Sequence, residues 1–441
     1  TMLQIEIPFN PPKPVMKNLS YRKRLSNLLK GDLDFHGQKN RTPVHTWHAF
    51  PARFPPQLPK AFITELTQPG DIVYDPMMGS CTTLLEAVLS GRHAVGTDID
   101  PLSVRLAQAK LNAADITNAE ISGHELIEKA NRKLTKEKKA VEKDLESRFD
   151  PKTKTFIDYW FAQNTQLELA ALISEIENIG DSALRAFFTL VFSAIIITKS
   201  GGVSLAYDLA HTRPHRVADK IPDSPVIQFG KRLRRNLKLM TCYPQADSLI
   251  IKADSQQLPL AKDSIHLIVT SPPYASNAID YMRAHKFSLV WLGYPISSLT
   301  EIRRTYIGGE TISGKELLLL PEHSEHIVSH LSESDQKKGK VLHRYYSEMS
   351  RSLSEMYRVL KPGCAAILVV GTSVIRGSDI EIQACLKEIA ECQGFDHIHI
   401  GIRKLDRNKR MMPARRNSKN KTGIEARMHE EYVMGFLKPG K

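Results

Sequence analysis

The stretch VTSPPY, residues 269–274, ends an apolar run (Ile265, Leu267, Ile268, Val269) on Ser-Pro-Pro-Tyr. Prolines cannot donate to a sheet ladder, so a strand must stop there. What remains is a rigid hook. The carbonyls of Pro272 and Pro273 lack N–H partners within the turn and can accept from a ligand amine. Ser271 adds a small hydroxyl, and Tyr274 a flat face on which a planar ring can stack. Such parts suit the exocyclic amine of a nucleobase. The plain alternative is a solvated turn with a half-buried tyrosine.

A second constellation stands far earlier in the chain. DPMMGSCTT (75–83) reads as a turn between a strand and a helix, where free backbone N–H groups can face a ligand. Gly79 permits close approach of backbone to ligand, and Ser80, Thr82 or Thr83 could cap the helix. The next strand ends in GTDID, where Asp98 can accept from both hydroxyls of a ribose. Asp100, before Pro101, reads as a helix N-cap. The turn is neither G-x-G-x-x-G nor a Walker loop.

Both constellations need a sheet to hold them. Apolar runs and turn residues predict strands at 71–75, 92–98, 248–254, 264–270 and 364–371, with helices at 59–67, 82–90, 280–292, 343–359 and 379–392. Two closing strands, HIHIGIRKL and EEYVMGFLK, flank a basic loop. The expected fold is α/β: a doubly wound sheet, mostly parallel, with an antiparallel C-terminal strand. If the strands at 71–75 and 264–270 are neighbours at the switch point, their C-terminal ends share one crevice. The organisation read from the pattern is an arm (1–44), a half carrying the glycine turn (45–110), a mainly helical insertion (111–247) and a half carrying the hook (248–441). The last half is read as containing an irregular insertion at 295–340.

The bulk properties narrow the function. With 41% hydrophobic and 25% charged residues, the 441-residue chain has the composition of a globular protein. The longest apolar run, AFFTLVFSAIII (186–197), is too short to span a bilayer and predicts a buried helix. The N-terminus lacks a charged leader before an apolar core, so no signal peptide is expected. The five cysteines form no CxxC pair; neither a disulfide framework nor a metal site is expected, and a cytoplasmic setting fits. A net charge of +13 favours a polyanionic partner.

These segments resemble the S-adenosylmethionine-dependent amino-group DNA methyltransferases, whose hook reads Asp, Asn or Ser, then Pro-Pro, then an aromatic residue. The Ser form, Ser271-Pro272-Pro273-Tyr274, is mostly associated with N4 of cytosine. DPMMGSCTT resembles the family's cofactor motif, and GTDIDP its ribose-binding follow-on. HTWHAFPARFPPQLPKAFI (45–63) resembles the segment that closes over the methionine end of the cofactor. IIKADSQQLPLAKDSIHLIVTSPPY resembles the run that carries the adenine contact, which would fall near Asp254. The resemblance implies cofactor contacts at Phe50, Ala52, Phe54, Asp75, Pro76, Met77, Gly79, Ser80, Thr82, Thr83, Asp98, Ile99, Asp254, Ser255 and Ser271. It covers about 45–110 and 248–375 plus the last two strands. Met77 replaces the usual Phe, and Cys81 the usual second Gly, adding a side chain at a crowded turn.

The activity so implied is methyl transfer to N4 of a cytosine flipped out of double-stranded DNA, by direct attack without a covalent intermediate. Ser271, Pro272, Pro273 and Tyr274 are the catalytic candidates. Phosphate contacts are expected at Lys409, Arg410, Arg415 and Arg416 in the basic loop, at Arg232, Arg234 and Arg235 on a basic helix, and at Arg283 and Lys286 past the hook. Solvated charge is the alternative at each. Base reading is assigned to 111–247 by elimination. A cognate restriction enzyme is a possible partner. Rival readings are N6-adenine methylation, RNA base-amine methylation and a catalytically silent nucleic-acid-binding scaffold.

Overall fold

Four consecutive buried residues, Ile72–Asp75, make strand β1, which lies inside a seven-stranded sheet. The computed structural model describes residues 5, 19–36, 38, 43–51, 53–112, 118–198, 202–211, 214–240, 246–275, 279–405 and 430–440. The other strands of this sheet are β2 (His93–Asp98), β3 (Ser248–Lys252), β4 (Ile265–Thr270), β5 (Leu360–Gly371), β6 (Asp396–Lys404) and β7 (Glu430–Leu437). Their order is β6-β7-β5-β4-β1-β2-β3. All neighbours are parallel except β7, which runs antiparallel to both β5 and β6. The expected doubly wound, mostly parallel sheet with an antiparallel C-terminal strand is present.

The period of two along β1 sends Val73 into one apolar cluster and Tyr74 into the other, so helices cover both faces of the sheet. Helix Thr82–Leu89 can lie close on β2 because position 96 is glycine; a Cβ there would sit 2.3 Å from Leu84 Cδ1. The two strands expected to be neighbours meet at the sheet's centre. Val73 pairs with Leu267 and Tyr74 with Ile268, in parallel. The glycine turn and the hook therefore leave the sheet side by side.

Between helix Pro101–Leu111 and β3, the described residues are mainly helical, as expected. The apolar run at 186–197 lies largely in helix Ser182–Ile196, capped by Asp181 and buried from Phe187 onward. Trp47 meets Phe187 edge-on at 5.2 Å, and His48 Nε2 lies 2.8 Å from Ser193 Oγ, so this helix shares a core with the sheet. Among the described residues no helix is long and apolar enough to cross a membrane.

Some expectations need correction. Residues 295–340 are not irregular: they hold helices Ile296–Thr305 and Glu322–Ser334 and the start of Gln336–Val359. A further helix not singled out from the sequence, Pro151–Trp160, precedes helices Gln163–Glu177 and Ser182–Ile196. A two-residue hairpin pairs Ala206–Tyr207 with His215–Arg216 inside the helical segment.

Candidate functional site

The turn after β1 is fixed by its own backbone. Met78 N–H donates to Thr97 O (3.1 Å), Cys81 N–H to Met78 O (2.7 Å), and Gly79 N–H to Asp98 Oδ2 (2.8 Å). Asp98 Oδ1 accepts from Asp100 N–H at 2.9 Å. Gly79 has φ +44°, and a Cβ there would stand 3.3 Å from the Phe50 ring, so any side chain would crowd the space between them. None of Ser80, Thr82 and Thr83 caps the following helix; the N-cap position falls to Cys81, without a side-chain bond. Ser80 and Thr82 instead hydrogen-bond each other, and Thr83 donates to Val269 O at 3.1 Å, tying the glycine turn to β4.

Cys81 stands in the left-handed region, φ 70° and ψ 27°, fully buried. Such a conformation costs an L-residue roughly 1–2 kcal/mol and is nearly free for glycine. Burial pushes its thiol up to about 12, so it is an inert packing group. Cys81→Gly exchanges relieved strain against a lost buried side chain and should stay within about 1 kcal/mol of the parent. Cys81→Val adds β-branching and volume at the same φ and should lose about 3 kcal/mol. Urea unfolding of the two variants checks this, and equal stability would remove strain from the account.

Above the turn opens a cavity with about 880 Å³ of atom-free space, its mouth included. Its wall contains Phe50, Phe54, Asp75, Pro76, Met77, Gly79, Ser80, Thr82, Asp98, Ile99, Asp254, Ser255, Ser271 and Pro273 from the expected set. Thr83 and Pro272 are buried behind it. Ala52 lies outside the described residues. Tyr274 lines neither this cavity nor the adjoining one; it is half-buried and its hydroxyl bonds Glu431 of β7, which in turn pairs with Arg403. The hook thus brings Ser271 and Pro273 to the cavity but anchors its aromatic ring elsewhere.

Several wall residues were not read from the sequence: Arg53, Met78, Asp100, Ser103, Ala253, Tyr281, Thr305, Tyr306 and Ile307. Asp100 caps its helix, as expected, through Leu102 N–H (2.8 Å). Its second oxygen takes the His285 ring (2.6 Å) and the Tyr306 hydroxyl (2.7 Å). One carboxylate thereby ties the end of β2 to the helix after the hook, Tyr281–Leu289, and to segment 304–311. No local pattern marks His285 or Tyr306; only Asp100, second acid of GTDID, carried a signal.

Burial raises the Asp98 carboxyl to about 7, with the charge of Asp100 adding to it. Burial likewise raises Asp75 to about 6, against hydrogen bonds from Thr270 Oγ1 (2.7 Å) and Met77 N–H. Burial pushes Asp100 up too, but His285 and Tyr306 prevail and hold it below the usual carboxylate range. A buried acid, Asp75, and a partly buried one, Asp98, stand at the strand ends beside an apolar wall of Phe50, Met77, Ile99 and Tyr281, an arrangement that can accept from hydroxyls while covering a planar ring. A nucleoside fits those residues.

The basic residues divide. Lys231, Arg234 and Arg235 are exposed on helix Pro225–Lys238, whereas Arg232 donates to Ala194 O (3.3 Å) and serves packing. Arg283 pairs with Asp280 at 3.0 Å, and Lys286 lies 5.2 Å from the Phe156 ring centre. Lys409, Arg410, Arg415 and Arg416 lie outside the described residues.

The chain is similar to several known proteins. Residues 17–109 match a family model described as DNA methylase. The Type II methyltransferase M.MvaI of Kocuria varians is 28% identical over 89% of this chain and 90% of that protein. A DNA adenine methyltransferase of Escherichia coli, YhdJ, is 35% identical over 25% of this chain and 34% of that protein. Among solved structures, a SAM-dependent methyltransferase from Methanosarcina mazei aligns over 86% of this chain and 98% of that one, at 10% identity and a TM-score of 0.32.

Proposed function

We propose that this chain, which belongs to the amino-group DNA methyltransferases, methylates the exocyclic N4 of a cytosine flipped out of double-stranded DNA, with S-adenosyl-L-methionine as donor. The observation that carries the reading is the parallel pairing of β1 with β4, which puts the glycine turn, Asp98 and Ser271 in one wall.

When bound, the donor supplies an electrophilic sulfonium methyl. Asp98 would accept from the ribose hydroxyls, Asp254 would meet the adenine amine, and Phe50 and Met77 would cover the ring and exclude water. Cytosine N4 is a poor nucleophile because its lone pair is delocalised into the ring. The Ser271 hydroxyl and the Pro272 carbonyl accept its two hydrogens, draw the nitrogen toward sp³ geometry and aim the lone pair into the cavity. Ser271 is too weak a base to deprotonate the amine first, so the N4 proton leaves for water after transfer. Extrusion of the base costs a few kcal/mol, and stacking on Tyr274, whose half-buried ring stands outside both cavity walls, would offset part of it.

Ser271 favours cytosine over adenine by the family resemblance. The adenine enzyme among the relatives keeps N6 methylation as the second reading. Tritiated methyl transfer to DNA of known sequence, followed by nucleoside mass analysis, decides: N4-methylcytosine supports the proposal and N6-methyladenine replaces it. Donor binding without transfer to any DNA would favour a silent scaffold. A cognate restriction enzyme is an extension of the same reading.

The Asp98 carboxyl gives a pH prediction. Free, it is raised to about 7, whereas two ribose donors favour its ionised form. Binding therefore releases a proton below that pH. Donor affinity should rise as pH increases, by up to about tenfold per unit, and level off above about 7. Calorimetry from about pH 5.5 to 8 checks the slope; Asp98→Asn should flatten it, and a flat parent profile would count against the ribose role.

A further inference from the structure

A second cavity adjoins the first, sharing Pro273, Tyr281, Tyr306 and Ile307 with it, and opens between the hook and segment 300–311. Asp280, buried in its wall, is the focus of two arginines. Arg303 Nη2 lies 2.5 Å and Arg283 Nε 3.0 Å from Asp280 Oδ2, and both arginine side chains remain about half exposed, 49% and 56%. That oxygen receives no well-directed hydrogen bond, so charge alone holds the cluster. Asp280 occupies the N-cap position of helix Tyr281–Leu289 yet makes no cap bond. An aspartate there usually satisfies the free N–H groups of its own helix. Here it faces the guanidinium groups instead.

The segment that carries Arg303 ends in a fixed loop. Arg344, fully buried, donates to the carbonyls of Arg304 (3.1 Å), Tyr306 (2.9 Å) and Gly309 (2.8 Å), and its partner Glu348 accepts from Gly308 N–H (2.8 Å). The loop is held, while the two arginine side chains, though paired with Asp280, stay half exposed and can exchange partners. A phosphodiester offers the same anionic oxygens as a carboxylate, with better geometry for two guanidinium groups.

We propose that Asp280 is an internal stand-in for a nucleic-acid backbone phosphate. In the free protein it holds Arg303 and Arg283 at the mouth of the second cavity; a phosphate flanking the extruded nucleotide takes its place when DNA binds. The inference rests on the DNA reading above and adds a brake to it. The two arginines contribute little to binding until a phosphate is delivered to this position, which tempers attachment to duplex that has not opened.

Fluorescence anisotropy with a duplex of mixed sequence that carries a central mismatch, whose unpaired base can leave the stack and deliver its flanking phosphate, tests it at about 50 to 300 mM salt. Asp280→Asn should bind about tenfold more tightly than the parent, because both arginines are released without losing side-chain shape. Glu333→Gln removes an equal charge from another helix and should change affinity less than about twofold. Arg303→Ala should weaken binding and make the log–log salt slope shallower by about one. Unchanged or weaker binding by Asp280→Asn, or equal tightening by Glu333→Gln, overturns the inference and leaves the DNA reading standing. A parent protein that takes up the donor but binds no duplex overturns both. If Asp280→Asn fails to fold, Arg303→Ala on its exposed side chain still decides, since an unchanged slope refutes the exchange.

Discussion

Asp98→Ala is expected to weaken donor binding by roughly 10²- to 10⁴-fold, because two hydrogen bonds to a charged acceptor are worth about 1.5–3 kcal/mol each. The fold should survive the change. Asp98 accepts from Gly79 N–H and Asp100 N–H, and their loss frees two backbone donors beside an open cavity that water can enter. Against that loss stands a gain. The carboxyl is raised to about 7, so its ionised form is disfavoured by burial at neutral pH, and removing it relieves the strain of charging it there. Thermal melting should therefore shift little while calorimetry loses most of the binding. Asp98→Asn, which keeps one acceptor oxygen, should fall between the two. Donor affinity within about threefold of the parent for Asp98→Ala would move the ribose away from β2, and the glycine turn would lose its assigned role.

How much of this site the residues announce depends on whether their chemistry is local. Gly79, Asp98 and Ser271 stand at strand ends, where backbone geometry and turn type restrict what a residue can do, and all three line the cavity. Thr83 has the same local credentials and turns away to Val269, because a threonine at a strand–helix junction can serve the wall or the sheet equally well. Tyr281 and Tyr306 were invisible for a different reason. Tyr306 follows helix Ile296–Thr305, where only Leu299 is fully buried, so no apolar stripe marks the helix that delivers it. The helix Pro151–Trp160 did carry a signal, an Asp150 N-cap followed by proline at the first position, which its weak apolar pattern obscured. Arg232 shows the limit of charge patterns: five basic residues share one helix, and only contact with Ala194 reveals that this one is spent on packing. The parallel sheet was legible because each strand is a short buried run between turn residues; the partner of Asp100 was not, because a hydrogen bond between residues 100 and 285 exists only in the folded chain.

Replacements at the hook should separate chemistry from binding. Ser271→Ala is expected to lower turnover by about 10- to 100-fold, the loss of one acceptor on a reacting amine, with donor affinity nearly unchanged. Ser271 borders the cavity but shares that wall with many groups, so its hydroxyl contributes little to holding the donor. Tyr274→Ala should lower turnover by about 5- to 150-fold, the equivalent of roughly 1–3 kcal/mol of stacking. Its ring is half-buried and its hydroxyl is fixed by Glu431, so the position of the ring is set before DNA arrives. Rigid placement is what makes stacking effective, since the ring loses little freedom on contact. Tyr274→Phe separates the two roles: it keeps the face, frees Glu431 and should retain most of the turnover. A duplex with a mismatch opposite the target should partly rescue Tyr274→Ala, because a base already unpaired needs less help to leave the stack. If Tyr274→Ala lost donor affinity and turnover in equal measure, or if the mismatch gave no rescue, the ring would be a brace between the hook and β7 rather than a platform for the extruded base.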